Sequence, residues 1–200
     1  MSLHKILFQQ KGAMFGLDAR IALAIMGAIS VLAGSYYFSS NFTARARAMS
    51  EELRQYGLAI DGYQYDLKED LSSTVTTANG ANEVTALFDD SVIQASFRGL
   101  WNGPYLDHQD AGSLLNAPGA VMTFVKSPTD STSSSCTVIT SCNYWIRLQP
   151  FSENTAIELD RIFDGGTEGT PENEGILRWN NHSDANMVDL WFAASQAFSM

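Results

Sequence analysis

Positive charge is scarce in this chain: 12 Lys and Arg stand against 22 Asp and Glu, giving a formal net charge of −10 and a pI near 4.6. Nucleic-acid binding needs basic residues clustered on one face to displace counterions from phosphates, so scattered ones argue against DNA or RNA as a direct partner. Histidine is scarcer still, with His4, His108 and His182 only, and the sequence carries no HExxH, no Gly-x-Ser-x-Gly and no phosphate-binding glycine loop. His108 in LDHQD and His182 in WNNHSDAN stand near acids, an arrangement expected of surface histidines. No enzymatic activity and no cofactor are expected. Cysteine is limited to Cys136 and Cys142, separated by TVITS, and the lack of a nearby histidine or second cysteine pair argues against zinc. A disulfide and two free buried thiols are the remaining alternatives for this pair.

Charge is missing altogether from Ile21 to Phe38, a run of 18 residues. A helix rising ~1.5 Å per residue covers about 27 Å over such a run, close to the thickness of a bilayer core. His4, Lys5 and Lys11 precede the run, as in a secretory signal peptide, but its small residues Gly12 and Ala13 come before the apolar segment and not after it. An acid, Asp18, and a base, Arg20, sit at the threshold. A charge in a membrane segment costs ~3 kcal/mol at the centre and less near an end, so an acid here points to a paired role. The alternative is an ordinary signal anchor whose Asp18 and Arg20 lie at headgroup level, the Arg side chain snorkelling to the interface.

A short basic leader, a small residue, a bulky residue, an acid at the fifth mature position and then an apolar helix together resemble the type IV prepilin signature. Cleavage between Ala13 and Met14 places Asp18 at that fifth position; with Gly12 as the last leader residue the position falls to Leu17, and the Ala13 register is preferred. The chain departs from the family pattern in having Ala13 for glycine, Asp for Glu, Arg20 two residues on, and Ser35 where the family has a helix-bending proline. The chemistry stands apart from the likeness. Cleavage before Met14 frees an α-amino group, which a carboxylate on a neighbouring subunit neutralises where water is scarce. Such a pair adds little net stability, but leaving one partner alone costs several kcal/mol, so Asp18 acts as a register device between helices.

After Phe38, residues Phe42, Met49, Leu53, Tyr56, Ile60, Tyr63 and Leu67 recur at helical spacing, and no proline occurs from Asn41 to Leu71. One helix from Ile21 to about Leu71 is predicted, its stripe requiring a domain to lie against. A turn-bearing linker, SSTVTTANGAN, then precedes a predicted short helix in NEVTALFDDSVIQASF. The phrase GLWNGPYLDHQ reads as a turn with aromatic anchors, and it resembles the loop that leads into the sheet of many pilins and pseudopilins. Strands are predicted at Gly119 to Lys126, Asn143 to Gln149, Gly175 to Trp179 and Met187 to Ala194, with a helix over Ala156 to Phe163 and an exposed Ser-rich hairpin loop at 127–135. The fold class is α+β: a long N-terminal membrane-spanning helix packed on a small antiparallel sheet, as in pilins. Its parts are a leader (1–13), a transmembrane and assembly helix (14–38), the soluble half of the long helix (39–72) and a globular head (73–200).

The stretch from Ala156 to Trp179 also resembles a pilin and pseudopilin phrase, through Leu159, Asp160, Ile162, Phe163, Asp164 and Gly165, then Gly175, Ile176 and Arg178. Its acids Asp160, Asp164, Glu168, Glu172 and Glu174 suit calcium chemically, and some major pseudopilins hold calcium in a C-terminal loop; without EF-hand spacing, a solvated acidic loop is the expectation and no metal is assigned. The resemblance implies a structural subunit of a type IV pilus or type II secretion pseudopilus. Its partners would be copies of itself, other pilin-like subunits, a prepilin peptidase, inner-membrane assembly machinery and, before assembly, the membrane. The implied location is the bacterial inner membrane and then a periplasmic or cell-surface filament. On that topology the cysteines face an oxidising compartment and a Cys136–Cys142 disulfide is favoured. The competing expectation is a monotopic, membrane-anchored binding or sensing protein that works unpolymerised.

Overall fold

The computed structural model describes residues 12–107, 117, 119–128, 136, 142–166 and 175–197. The first element is a single helix, α1 (Gly12–Leu67), continuous through Ser35. It is followed by α2 (Leu71–Thr74), α3 (Ala81–Thr85), a 3₁₀ turn (Asp90–Val92), α4 (Ala95–Arg98), β1 (Val121–Ser127), β2 (Asn143–Ser152), α5 (Glu153–Phe163), β3 (Leu177–Asn181) and β4 (Met187–Gln196). Two compact units divide between Phe42 and Thr43. The architecture is α+β, a long apolar N-terminal helix and a four-stranded antiparallel sheet of order β1-β2-β4-β3.

In the unit from Thr43 onward, the helical stripe is buried as its spacing requires: Met49, Leu53, Tyr56, Ile60, Tyr63 and Leu67 are all at most 2% exposed. Each such side chain contributes about 1.5–3 kcal/mol through the apolar area removed from water. The sheet supplies the facing layer. Phe124, Ile146, Phe192 and Leu177 are paired in register across all four strands, and because side chains alternate along a strand they share one face. All four are buried. The Tyr56 ring meets Phe124 edge to face at 6.1 Å. Gly57 permits the helix to lie on β4, since a Cβ there would come within 2.6 Å of the Ala194 carbonyl oxygen. Glycine at position 57 is therefore a packing requirement.

The other row, Thr123, Arg147, Trp191 and Arg178, occupies the opposite face. β2 carries register shifts at Tyr144/Trp145 and at Leu148/Phe151, the second around Pro150, which has no N–H to give to the ladder.

Three expectations change in detail. The predicted helix in residues 82–97 is instead α3, the 3₁₀ turn and α4, interrupted where the backbone turns to pair Val75 with Ile93. α1 stops at Leu67, short of Leu71, because Lys68 takes a positive φ of 55°. Leu71 and Thr74 then turn inward as the buried part of α2. The Ser-rich stretch lies largely outside the described residues; Ser127 ends β1 and is buried.

Cys136 and Cys142 are joined as a disulfide. Closing so short a loop constrains the unfolded chain by about 2 kcal/mol. The double variant C136S/C142S is expected to lose about that much, measured by urea unfolding of the full chain in detergent against the oxidised parent.

Candidate assembly and membrane-anchoring segment

α1 begins at Gly12, so Gly12, Ala13 and Met14 form its first turn. Residues 1–11 of the expected leader lie outside the described residues. From Gly16 the helix is exposed: Leu23, Val31 and Tyr36 retain 69%, 73% and 77% of their accessible surface. An 18-residue window near the N-terminus has a mean hydropathy of 1.8, and none of it is buried. The helix is thus long and apolar enough to cross a membrane. An exposed apolar surface of this extent is the kind that marks a membrane- or protein-contacting segment.

The two serine hydroxyls in this segment are satisfied without leaving the helix. Ser30 Oγ donates to the Met26 carbonyl at 2.7 Å and Ser35 Oγ to the Leu32 carbonyl at 2.9 Å. Back-bonding of this kind removes the polar cost of placing serine in an apolar medium. Ser35, at the place where a proline would bend the helix, leaves the backbone ladder unbroken. Asp18 and Arg20 are exposed, and neither has a hydrogen bond or ion pair among the described residues. A carboxylate on the rim of an apolar rod, with no partner among the described residues, is available to a cation supplied by another molecule.

The remaining sequence-level candidates are structural. Asp164 accepts hydrogen bonds from the backbone N–H groups of Ile176 at 3.1 Å and Leu177 at 2.9 Å, and so fastens the start of β3 to the end of α5. Burial, reinforced by the charge of Asp164, raises the Asp160 carboxyl above its ordinary pKa. Glu168, Glu172 and Glu174 lie outside the described residues, and no His, Cys, Asp and Glu cluster suited to a metal occurs among the described ones. His108 also lies outside them. His182, expected at the surface, is half-buried: its Nδ1 is 2.8 Å from Asp189 Oδ1, whose other oxygen accepts from Arg147 at 2.7 Å. The hairpin between β3 and β4 brings His182 and Asp189 together.

One buried cluster escaped the sequence reading. Asp70 accepts from Tyr144 Oη at 2.8 Å and is ion-paired with Lys126 Nζ, while Tyr144 Oη accepts the Ser72 N–H at 2.8 Å. These groups are 56 and 74 residues apart in the chain. No local pattern announces such a contact. Burial pushes the Tyr144 phenol well above its ordinary pKa, as it does Tyr63, which rises to about 12 despite a 2.6 Å hydrogen bond with Thr74. The WNGPYL phrase is anchored similarly: Trp101 Nε1 donates to the Ala86 carbonyl at 2.9 Å and Tyr105 Oη to Asp66 at 2.9 Å.

No protein-family model, curated protein or solved structure matches this chain.

Proposed function

We propose that this chain is a structural subunit of a filament of the type IV pilus or type II secretion pseudopilus kind. In this reading a prepilin peptidase removes residues 1–13 at the inner membrane, and the mature chain polymerises through the N-terminal half of α1. The observation that carries it is the exposed, unpaired Asp18 one turn beyond the Ala13–Met14 bond, at the rim of an apolar helix with nothing covering it among the described residues. The four-residue separation between Met14 and Asp18 lets the carboxylate of one subunit meet the new amine of the next with a small axial offset. Lipid surrounds the apolar rod before assembly and other rods surround it afterwards. The unit from Thr43 onward has a core of its own.

The test is intact-mass and N-terminal mass spectrometry of the protein from membrane and filament fractions. A chain starting at Met14, with or without N-methylation, is expected. An intact start at Met1 or Ser2 in assembled material would remove the filament reading and leave the anchored, unpolymerised protein in its place.

A further inference from the structure

Beyond Phe42 all Lys and Arg residues lie among the described ones. Most are engaged within the chain: Arg54, Arg98, Lys126, Arg147 and Arg161 are paired with carboxylates, and Lys68 and Arg178 lie over aromatic rings. Arg45 and Arg47 differ. Both are exposed on α1, and neither guanidinium has an ion pair, hydrogen bond or ring contact among the described residues.

The same unit contains a cleft of about 660 Å³, lined by Glu52, Gln55 and Tyr56 of α1 and by Tyr105, Leu106 and Asp107. Among the described residues, two carboxylates and two phenol rings contribute to it, and no Lys or Arg does. Tyr56 is 2% exposed, and its Oη is buried without a hydrogen-bond partner among the described residues. Burial first, and then the negative field of Glu52, push the Tyr56 phenol far above its ordinary pKa. The cleft is therefore negative and aromatic, and a guanidinium suits such a lining with its delocalised charge, its planar face and its fork of N–H donors.

We propose that this cleft receives the Arg45–Arg47 segment of a second copy of the chain, a guanidinium seating against the exposed Asp107 at its rim beside Tyr105. The inference rests on the filament reading, in which many copies lie side by side. Arginines of the same chain cannot serve: they precede the cleft on a continuous helix, and helical side chains lean toward the N-terminus, away from it. Mature copies lack Lys5 and Lys11 and so carry 10 Lys and Arg against 22 Asp and Glu, a formal net charge of −12; they repel one another, and association favours contacts that use the cations each copy has to spare.

The test uses two full-length, differently tagged chains produced together, one carrying Arg47→Cys and the other Asp107→Cys. Mild oxidation of membrane and filament fractions is expected to yield a mixed dimer at least tenfold above that from either variant paired with the parent chain. Separately, R45E/R47E is expected to lower recovered filament at least tenfold, and adding Asp107→Arg to that chain to restore part of it. No mixed dimer, with undiminished filament from R45E/R47E and cleavage at Met14 intact, overturns this contact and leaves the filament reading standing. A mixed dimer from chains that retain residues 1–13 and form no filament supports the contact and overturns the filament reading. A third outcome is loss of R45E/R47E from flotation with phosphatidylglycerol vesicles, without mixed dimer. That result assigns the arginines to lipid headgroups and overturns the proposal.

Discussion

Replacing Asp18 with alanine is expected to abolish filament recovery while leaving membrane insertion and folding of the unit beyond Phe42 intact. In the proposed filament the α-amino group of each Met14 lies among apolar helices, and Asp18 of a neighbour is its counter-ion. Removing one member of a buried pair costs about 3–5 kcal/mol, because the other charge remains without solvent or partner. At about 1.4 kcal/mol per factor of ten, the lower figure already weakens each subunit addition by roughly a hundredfold. Insertion is not impaired, since the substitution removes a charge from the threshold of the apolar segment. Folding is not impaired either, since Asp18 makes no hydrogen bond or ion pair among the described residues. Asp18→Glu, which keeps the charge, is expected to retain assembly. Sheared-filament yield, carbonate extraction of membranes and protease resistance of the soluble unit separate the three quantities. Wild-type filament yield from D18A would end the register role.

The second large effect is on stability. Asp70→Ala is expected to lower the unfolding free energy of the unit beyond Phe42 by about 3 kcal/mol, toward the lower end for a broken buried pair because Lys126 retains some solvent. The Asp70 side chain is 9% exposed and Lys126 27%, so the lysine recovers part of its hydration when its partner is lost. Tyr144 does not: it is fully buried, and its hydroxyl keeps only the bond it accepts from Ser72. Against a typical total of about 5–15 kcal/mol the loss is substantial, equivalent to roughly 10 °C in Tm for a domain of this size. The pairing itself is measurable in a double-mutant cycle with Lys126→Met. Because K126M alone leaves Asp70 its tyrosine, the double variant is expected to be less destabilised than the sum of the singles. Strict additivity would mean that Lys126 and Asp70 do not interact.

Local pattern and tertiary contact contributed differently to this protein. The apolar stripe from Met49 to Leu67 was legible because burial of one helical face imposes its period on the sequence, and the four strands because alternation imposes a period of two. Residues 82–97 misled the periodicity argument. Their apolar positions suit one helix, but Ile93 pairs with Val75 and divides the segment into short turns. His182 was misplaced for a related reason: its partner Asp189 lies on the next strand, and only the hairpin brings the two together.

By itself the sequence determined the uncharged rod, the small residues and acid at its threshold, and the α+β class, because each follows from spacing along one stretch of chain. Tertiary structure decided where Asp70, Lys126 and Tyr144 meet, why residue 57 must be glycine, and which cations have no partner among the described residues. Those are distances between residues remote in sequence, and chain connectivity does not set them until the helix lies on the sheet.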